Sequence, residues 1–245
     1  MKKSTEIALV VPCYNEASRG QFTKNSFYNR LSKLNQLLDH KKVPHVVFVS
    51  DGSKDATAIE IDLFIKTHGL ESKWHLIDNK VNKGKGGALI DGLNYASSLA
   101  PFVGYIDADL SIDVSYLNKQ AIPCTRYCIY GNRIYEKEQS FSRKCLSHLS
   151  KIAVKMLTNL KVKDTQCPYK VFSSKKWKEV QGNLKGYRWI FDIELLYYLQ
   201  KAKVVMKKEN VKFNNMEEST LSSLSALKRC AIDLIDFKLM QIKNT

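Results

Sequence analysis

The sequence predicts an α/β fold: a single domain with a mostly parallel sheet flanked by helices. Short apolar runs alternate with helix-like stretches through about residue 110, the pattern that βαβ crossovers leave in a chain. The runs are continuously apolar rather than alternating, as strands buried on both faces are. Each run ends in polar or charged residues, so function should gather on loops at the carboxyl ends of the strands, where open α/β sheets hold their ligands.

In order, Ile7-Ala-Leu-Val-Val-Pro12 is the first strand, closed by Pro12. Phe27, Leu31, Leu34 and Leu38 recur at helical spacing. After Pro44 comes Val46-Val-Phe-Val49, the second strand, which runs into Ser50-Asp-Gly-Ser53. Asp55 can cap the next helix, which ends near Gly69. Trp74-His-Leu-Ile77 is a third strand, and Leu89, Leu93, Ala96 and Leu99 mark the helix after it. Phe102-Val-Gly-Tyr-Ile106 is the fourth strand; it stops in two acids, Asp107 and Asp109, separated by Ala108.

The second half reads differently. Cys128-Ile-Tyr-Gly-Asn-Arg133 is a strand ending in a base. A helix follows with Leu146, Leu149, Ala153, Met156 and Leu160 on one face and Lys144, His148, Lys151 and Lys155 among the remainder. Asp164–Phe172 is a loop feeding a short strand, Tyr187–Glu194 opens another helix, and Val204–Met206 begins a strand. A last helix carries Leu224, Leu227, Ala231, Leu234 and Phe237. With no linker in sight, residues 1–245 read as one domain, divided at about 110 and 220 into two halves and an amphipathic tail.

Composition sets the limits. The 245 residues are 44% hydrophobic, with 11 Gly and 5 Pro, enough to bury a substantial core. No apolar run reaches the ~18–20 residues that a membrane span needs. Met1–Glu6 leads straight into a strand, so no signal peptide is expected. Six cysteines (13, 124, 128, 145, 167 and 230) contain no CxxC pair and read as reduced cytoplasmic thiols. A balance of 39 Lys+Arg against 24 Asp+Glu leaves net charge +15. That favours phosphorylated substrates, an acidic membrane surface or nucleic acid, although lysines also serve simply to solvate a surface. No nucleic-acid-binding signature is present, and no nucleic-acid partner is expected.

The strand ends carry the chemistry. Two carboxylates supply oxygen ligands, which suit a hard cation, Mg²⁺ or Mn²⁺; Asp-x-Asp by itself is also an ordinary solvated loop. Asn82-Lys-Gly-Lys-Gly-Gly87 can present backbone N–H groups to a phosphate at a helix N-terminus or form a plain turn. It matches neither GxxxxGK[ST] nor GxGxxG. Asp51 can bond a base or ribose, or close an Asx turn. Tyr14 can stack on a base and Glu16 hold a ribose, although a loop Glu is commonly just solvated. Four consecutive strand ends thus bear Tyr14/Glu16, Asp51, Lys83/Lys85 and Asp107/Asp109, a set suited to a sugar nucleotide with a metal.

Val10-Val-Pro-Cys-Tyr-Asn-Glu16, Asp51-Gly-Ser53, Asn82-Lys-Gly-Lys-Gly-Gly-Ala88 and Asp107-Ala-Asp109 resemble the family 2 glycosyltransferases of the GT-A (Rossmann-like) fold. Gly131-Asn-Arg133, Asp164-Thr-Gln-Cys-Pro-Tyr-Lys170 and Arg188-Trp-Ile-Phe-Asp-Ile-Glu-Leu195 are similar to one branch, the dolichyl-phosphate β-glucosyltransferases and related polyprenyl-phosphate sugar transferases. The resemblance spans roughly residues 6–220. It implies an inverting, metal-dependent transfer of a hexose to a polyprenyl or dolichyl phosphate, with UDP-glucose the favoured donor and GDP-mannose the other. The alternative is the same chemistry on a glycan hydroxyl, in polysaccharide or glycoconjugate synthesis.

The resemblance also assigns roles. Pro12, Tyr14, Glu16 and Asp51 line the nucleoside pocket, and Lys85 with Gly86 approaches the diphosphate. Asp107, Ala108 and Asp109 lie by the ribose and the Mg²⁺ or Mn²⁺, with Asp109 the more direct ligand. Arg133, Arg143 and Lys170 receive the acceptor phosphate. Asp164 and Asp192 are the candidate bases, if one is used: a sugar hydroxyl needs a base, whereas a phosphate monoester is already ionised near neutral pH. The chain departs from the pattern at Ser50, where an acid is usual, and at Cys167-Pro-Tyr-Lys170, where Cys-Gly-Phe-Lys is usual. The membrane anchor and hairpin of that branch are not expected in this chain. Peripheral placement on the cytoplasmic face of a membrane follows as an expectation, with the 144–155 helix and the last helix either resting on an acidic bilayer or packing against the domain.

Overall fold

The computed structural model describes residues 5–19, 26–119, 125–135, 151–186, 189–213 and 224–243, the side chains of 224–227 and 243 excepted. Seven strands form one sheet: β1 (Ile7–Cys13), β2 (His45–Asp51), β3 (Trp74–Asn79), β4 (Phe102–Ile106), β5 (Tyr127–Tyr135), β6 (Tyr169–Ser173) and β7 (Val205–Phe213). Their order is β3-β2-β1-β4-β6-β5-β7. Only β6 runs against its neighbours; every other adjacent pair is parallel, as the βαβ alternation predicts.

The helices are α1 (Phe27–Leu37), α2 (Thr57–Thr67), α3 (Gly84–Leu99), the short α4 (Ser115–Asn118), α5 (151–158), α6 (Ser174–Val180), α7 (Phe191–Lys201) and α8 (Leu224–Lys243). Alternate residues of β1 feed two cores. Ile7, Leu9 and Val11 pack with α1 and α2 through Leu31, Ile61 and Phe64, while Ala8 and Val10 pack with α3 through Ala88, Leu89 and Leu93. Burial on both faces is why the strands read as unbroken apolar runs. Helix α3 lies close to the sheet because Gly92 lacks a side chain: a Cβ there would meet Val10 Cγ1 at 2.4 Å. On the same layer, Phe237 of α8 sits edge-on to Tyr197 and Tyr198 of α7 at 5.3 and 6.1 Å.

β1 is paired on one side to β2 and on the other to β4. The strand order reverses there, which opens the crevice at the carboxyl ends of β1 and β4.

Three boundary expectations change. Pro12 does not close β1, which pairs on through Pro12↔Val49 and Cys13↔Ser50. Helix α7 starts at Phe191, later than the predicted opening. Of the helix predicted over 144–160, the described part, 151–158, turns a different face inward: Val154 is buried, while Ala153 is exposed and Met156 is 79% exposed. The cause is where the helix stops. It ends at 158 and Asn159 adopts φ 53, so Leu160 reaches the core from beyond the helix and does not mark its phase. Leu146, Leu149, Lys144 and His148 lie outside the described residues. Four cysteines, Cys13, Cys128, Cys167 and Cys230, are free thiols.

Candidate functional site

The rim begins at the end of β1. Asn15, with φ 53, turns the chain, and a set of hydrogen bonds ties this loop to the one after β2. Ser53 Oγ accepts from Asn15 N (3.2 Å), Asn15 Oδ1 from Lys54 N (2.8 Å), and Thr57 Oγ1 from Glu16 N (2.8 Å). Asp55 accepts from the N–H groups of Thr57 and Ser18, and despite partial burial these bonds hold its carboxyl below its ordinary pKa. Glu16 is buried and faces two guanidinium groups, Arg19 at 2.9 Å and Arg30 at 3.1 Å. It anchors the loop, while Tyr14 alongside it is exposed.

Asp51 resolves its two readings in favour of the backbone. Its Oδ1 accepts from Lys83 N at 2.8 Å and its Oδ2 from Gly84 N at 2.7 Å. The carboxylate therefore caps the opening of α3, where orphan donors and the helix dipole favour negative charge. Of the N–H groups in 82–87, those of Lys83 and Gly84 thus already have a carboxylate acceptor. The turn needs Gly52 at φ +63, where a Cβ would press on Asn82 N at 2.6 Å.

One turn on, Lys85 Nζ meets Asp107 Oδ1 at 2.6 Å, with both side chains about a third exposed (32% and 31%). Burial disfavours the Lys85 charge, but Asp107, Asp192 and Asp109 outweigh it and raise the ammonium above its ordinary pKa. Asp107 itself is pushed up, by burial first and then by Asp109 and Asp192, against the pull of Lys85. The acid pair lies in a tight turn: Leu110 N donates to Asp107 O at 3.2 Å, and Leu110 has φ 51, a left-handed backbone at a non-glycine residue. Asp109 Oδ1 accepts from Ser111 N at 2.9 Å.

Among the described residues no group of three or more His, Cys, Asp or Glu side chains could hold a metal. The donor set nevertheless fits a hard divalent cation. Asp107 and Asp109 are half-buried, each keeps one carboxylate oxygen uncommitted among the described residues, and substrate phosphates and water complete such shells.

Across the crevice two more acids are engaged. Asp164 grips Arg133 through a fork: Nε to Oδ2 at 2.8 Å and Nη2 to Oδ1 at 2.9 Å, with Arg133 N also donating to Oδ2 at 3.2 Å. The guanidinium lies over Phe213 and Tyr135, 5.3 and 5.9 Å from the ring centroids. Burial alone would raise Asp164, yet Arg133 holds it below the usual carboxylate range. Asp192, in the first turn of α7, accepts from Lys170 Nζ and from Tyr105 O–H, each at 2.5 Å. Burial opposes its charge too, but Lys170 and then Lys85 keep its pKa low.

Lys170 is a correction. Expected to touch the acceptor, it is 0% exposed, bonded to Asp192 and to Cys167 O (2.8 Å) and placed over the Tyr105 ring. Antiparallel pairing sets it directly opposite Tyr105. Arg143 lies outside the described residues. Pro12 and Ala108 sit at the ends of β1 and β4 beside the rim. Gly86 lies under Gly186, where an added Cβ would come 3.4 Å from Gly86 C.

Two residues at the site escaped the sequence. Tyr105 looked like strand filler, and its hydroxyl partner lies 87 positions away. Glu194, 0% exposed, accepts from Lys185 N at 2.6 Å and Gly186 N at 3.1 Å, holding that loop against the first turn of α3. The one available signal was acids in an otherwise apolar helix, since a buried Asp or Glu needs partners.

With the geometry in place, comparison places the chain. The family model for Glycosyl transferase family 2 matches residues 8–180. A human protein named dolichyl-phosphate beta-glucosyltransferase is 30% identical, over 96% of this chain and 75% of its own. A Dictyostelium discoideum protein of the same name is 28% identical, over 94% of this chain and 72% of its own. The crystal structure of glucosyl-3-phosphoglycerate synthase from Mycobacterium tuberculosis with Mn²⁺, UDP and glucosyl-3-phosphoglycerate superposes with TM-score 0.61, covering 95% of this chain and 79% of that one. At 16% identity that likeness is one of fold, and the fold is the expected GT-A type.

Proposed function

The chain belongs to glycosyl transferase family 2, and from that premise we propose that it transfers glucose from UDP-glucose to a polyprenyl or dolichyl phosphate with inversion at the anomeric carbon. The observation that carries this reading is the pairing of the acids. Asp107 and Asp109 are half-buried at the rim, whereas Asp164 and Asp192 are each locked to a buried or forked cation. A hydroxyl acceptor needs a carboxylate base within reach, and both candidates are engaged by a cation that lowers their basicity. A phosphate acceptor needs none. The names of the human and Dictyostelium relatives support the same acceptor class.

In this reading Tyr14 offers its ring to the base, Glu16 and Asp51 set the two loops around it, and Lys85 leaves Asp107 for the diphosphate. Asp107 and Asp109 are the ligands for Mg²⁺ or Mn²⁺, which when bound supplies Lewis acidity at the leaving diphosphate. Arg133, over its two rings and still forked to Asp164, positions the acceptor phosphate through its remaining N–H donors. An acceptor oxygen attacks the anomeric carbon as the bond to the diphosphate breaks; the electron pair leaves with UDP, and no proton need move. A GDP-mannose donor is the competing choice.

No helix among the described residues is long and apolar enough to cross a membrane. We place the enzyme on the cytoplasmic surface of a bilayer that holds its acceptor. The deciding experiment is a donor screen, UDP-glucose and GDP-mannose with Mn²⁺ or Mg²⁺, run with and without a short polyprenyl phosphate. Glucosylated lipid formed only from UDP-glucose with metal and acceptor supports the proposal; transfer to glycan alone overturns it.

A further inference from the structure

Helix α8 carries two apolar faces where packing uses one. Leu234 and Phe237 are buried against α7. Ile232, Ile235, Leu239 and Ile242 are 54%, 55%, 53% and 62% exposed. Their spacing of three, four and three residues confines them to an arc of about 80° on a helix of 3.6 residues per turn, nearly opposite the buried pair. Lys228 and Arg229 are exposed and Lys238 half-buried along the same helix, which also bears Asp233 and Asp236.

A second helix on the same layer repeats the arrangement. Val154 of α5 enters the core that holds Leu234 and Phe237, while Ile152 (43% exposed) and Met156 stay outside with Lys151 and Lys155. Such exposed apolar side chains interleaved with bases suit an interface that is apolar beneath and anionic at its surface. A second copy of the chain fits less well. Each chain carries +15, so two copies repel.

We propose that α8 lies flat on an anionic bilayer, with Ile232, Ile235, Leu239 and Ile242 inserted at the boundary between headgroups and acyl chains. The inference rests on the polyprenyl-phosphate reading, because a bilayer is what presents that acceptor. It adds a docking surface that holds the crevice near the lipid.

The test uses the full chain and flotation with phosphatidylcholine vesicles, with and without phosphatidylserine, in the absence of donor. Binding should require phosphatidylserine and weaken with salt, each basic residue near the surface adding about fivefold. The double substitution Ile235→Glu/Leu239→Glu should cut binding by about tenfold or more, leaving the unfolding midpoint and transfer to a short soluble polyprenyl phosphate unchanged. Lys228→Ala, which alters no apolar residue, should remove only part of the salt-sensitive binding. Failure of the wild-type chain to float, or unchanged flotation of the double variant, overturns the proposal. So does a dimer in sedimentation that the double variant converts to monomer, since the stripe would then be a seam between copies. If the wild-type chain floats but glucosylates no polyprenyl phosphate, the acceptor reading falls and the docking surface stands.

Discussion

Two lysine–aspartate pairs lie near one another and differ in almost everything except their chemistry. Lys85 and Asp107 are each about a third exposed and bridge the rim, while Lys170 is wholly buried and its partner Asp192 nearly so. A buried pair has lost its water on both sides, so neither member can leave without stranding the other. A rim pair keeps water as an alternative partner, so its members can part at little cost. The same two side chains therefore make a fixture in one place and a movable part in the other, and burial decides which.

The comparison breaks most visibly at Lys170. Lys170→Met should cost about 3–5 kcal/mol in urea unfolding, the usual loss when one member of a buried pair is removed. Adding Asp192→Leu should restore part of it; a loss below about 1 kcal/mol for the single variant would mean that the pair is hydrated. At the rim the sensitivity reverses. Asp109→Asn should lower transfer by about 10²–10³-fold, as loss of one electrostatic stabiliser does, while moving stability by no more than about 0.5 kcal/mol. Chelation of divalent metal should abolish the activity of the wild-type enzyme.

Arg133→Ala sits between these limits. Acceptor KM should rise about 10–100-fold, the equivalent of one or two charge-assisted bonds, with donor hydrolysis unaltered. Arg133→Lys should recover charge but not the fork, and so only part of the loss. Equal loss of transfer and donor hydrolysis would assign Arg133 to the donor or the fold.

The smallest effect is in the pH dependence, and its sign separates the two classes of acid. Asp164 and Asp192 have folded pKa values below the ordinary 3.8, so their contribution is full above 3.8 and is lost as the pH falls through the depressed values. Asp107 is raised, so its contribution is present below 3.8 and lost as the pH rises through its folded value. Denaturant midpoints across the acid range should fall less steeply for Asp192→Asn than for the wild-type chain.

Much of this was legible in the sequence, and for a physical reason. A strand buried on both faces has to be apolar throughout, so β1, β2 and β4 announced themselves, and their polar ends marked the rim. The position of Asp107 and Asp109 at the rim was visible because they directly follow an apolar run, although Asp-x-Asp by itself is also an ordinary solvated loop. The partner of each charge was not legible. Asp51 could have faced a ligand or a backbone, and only its approach to Lys83 N and Gly84 N decides. Lys170 stood out through its place in Cys167-Pro-Tyr-Lys170 and was assigned to the acceptor, but its burial was hidden, because it depends on an antiparallel register with Tyr105. The stripe on α8 was hidden for a related reason: periodicity finds one apolar face readily, and the Leu234/Phe237 face accounted for the pattern.

The reversal of β6 has one more consequence. A strand that enters the sheet at the rim brings its leading loop, 164–168, there without passing through the half that holds β1, β2 and β3. A change of length in that loop therefore leaves the parallel pairing of those three strands untouched.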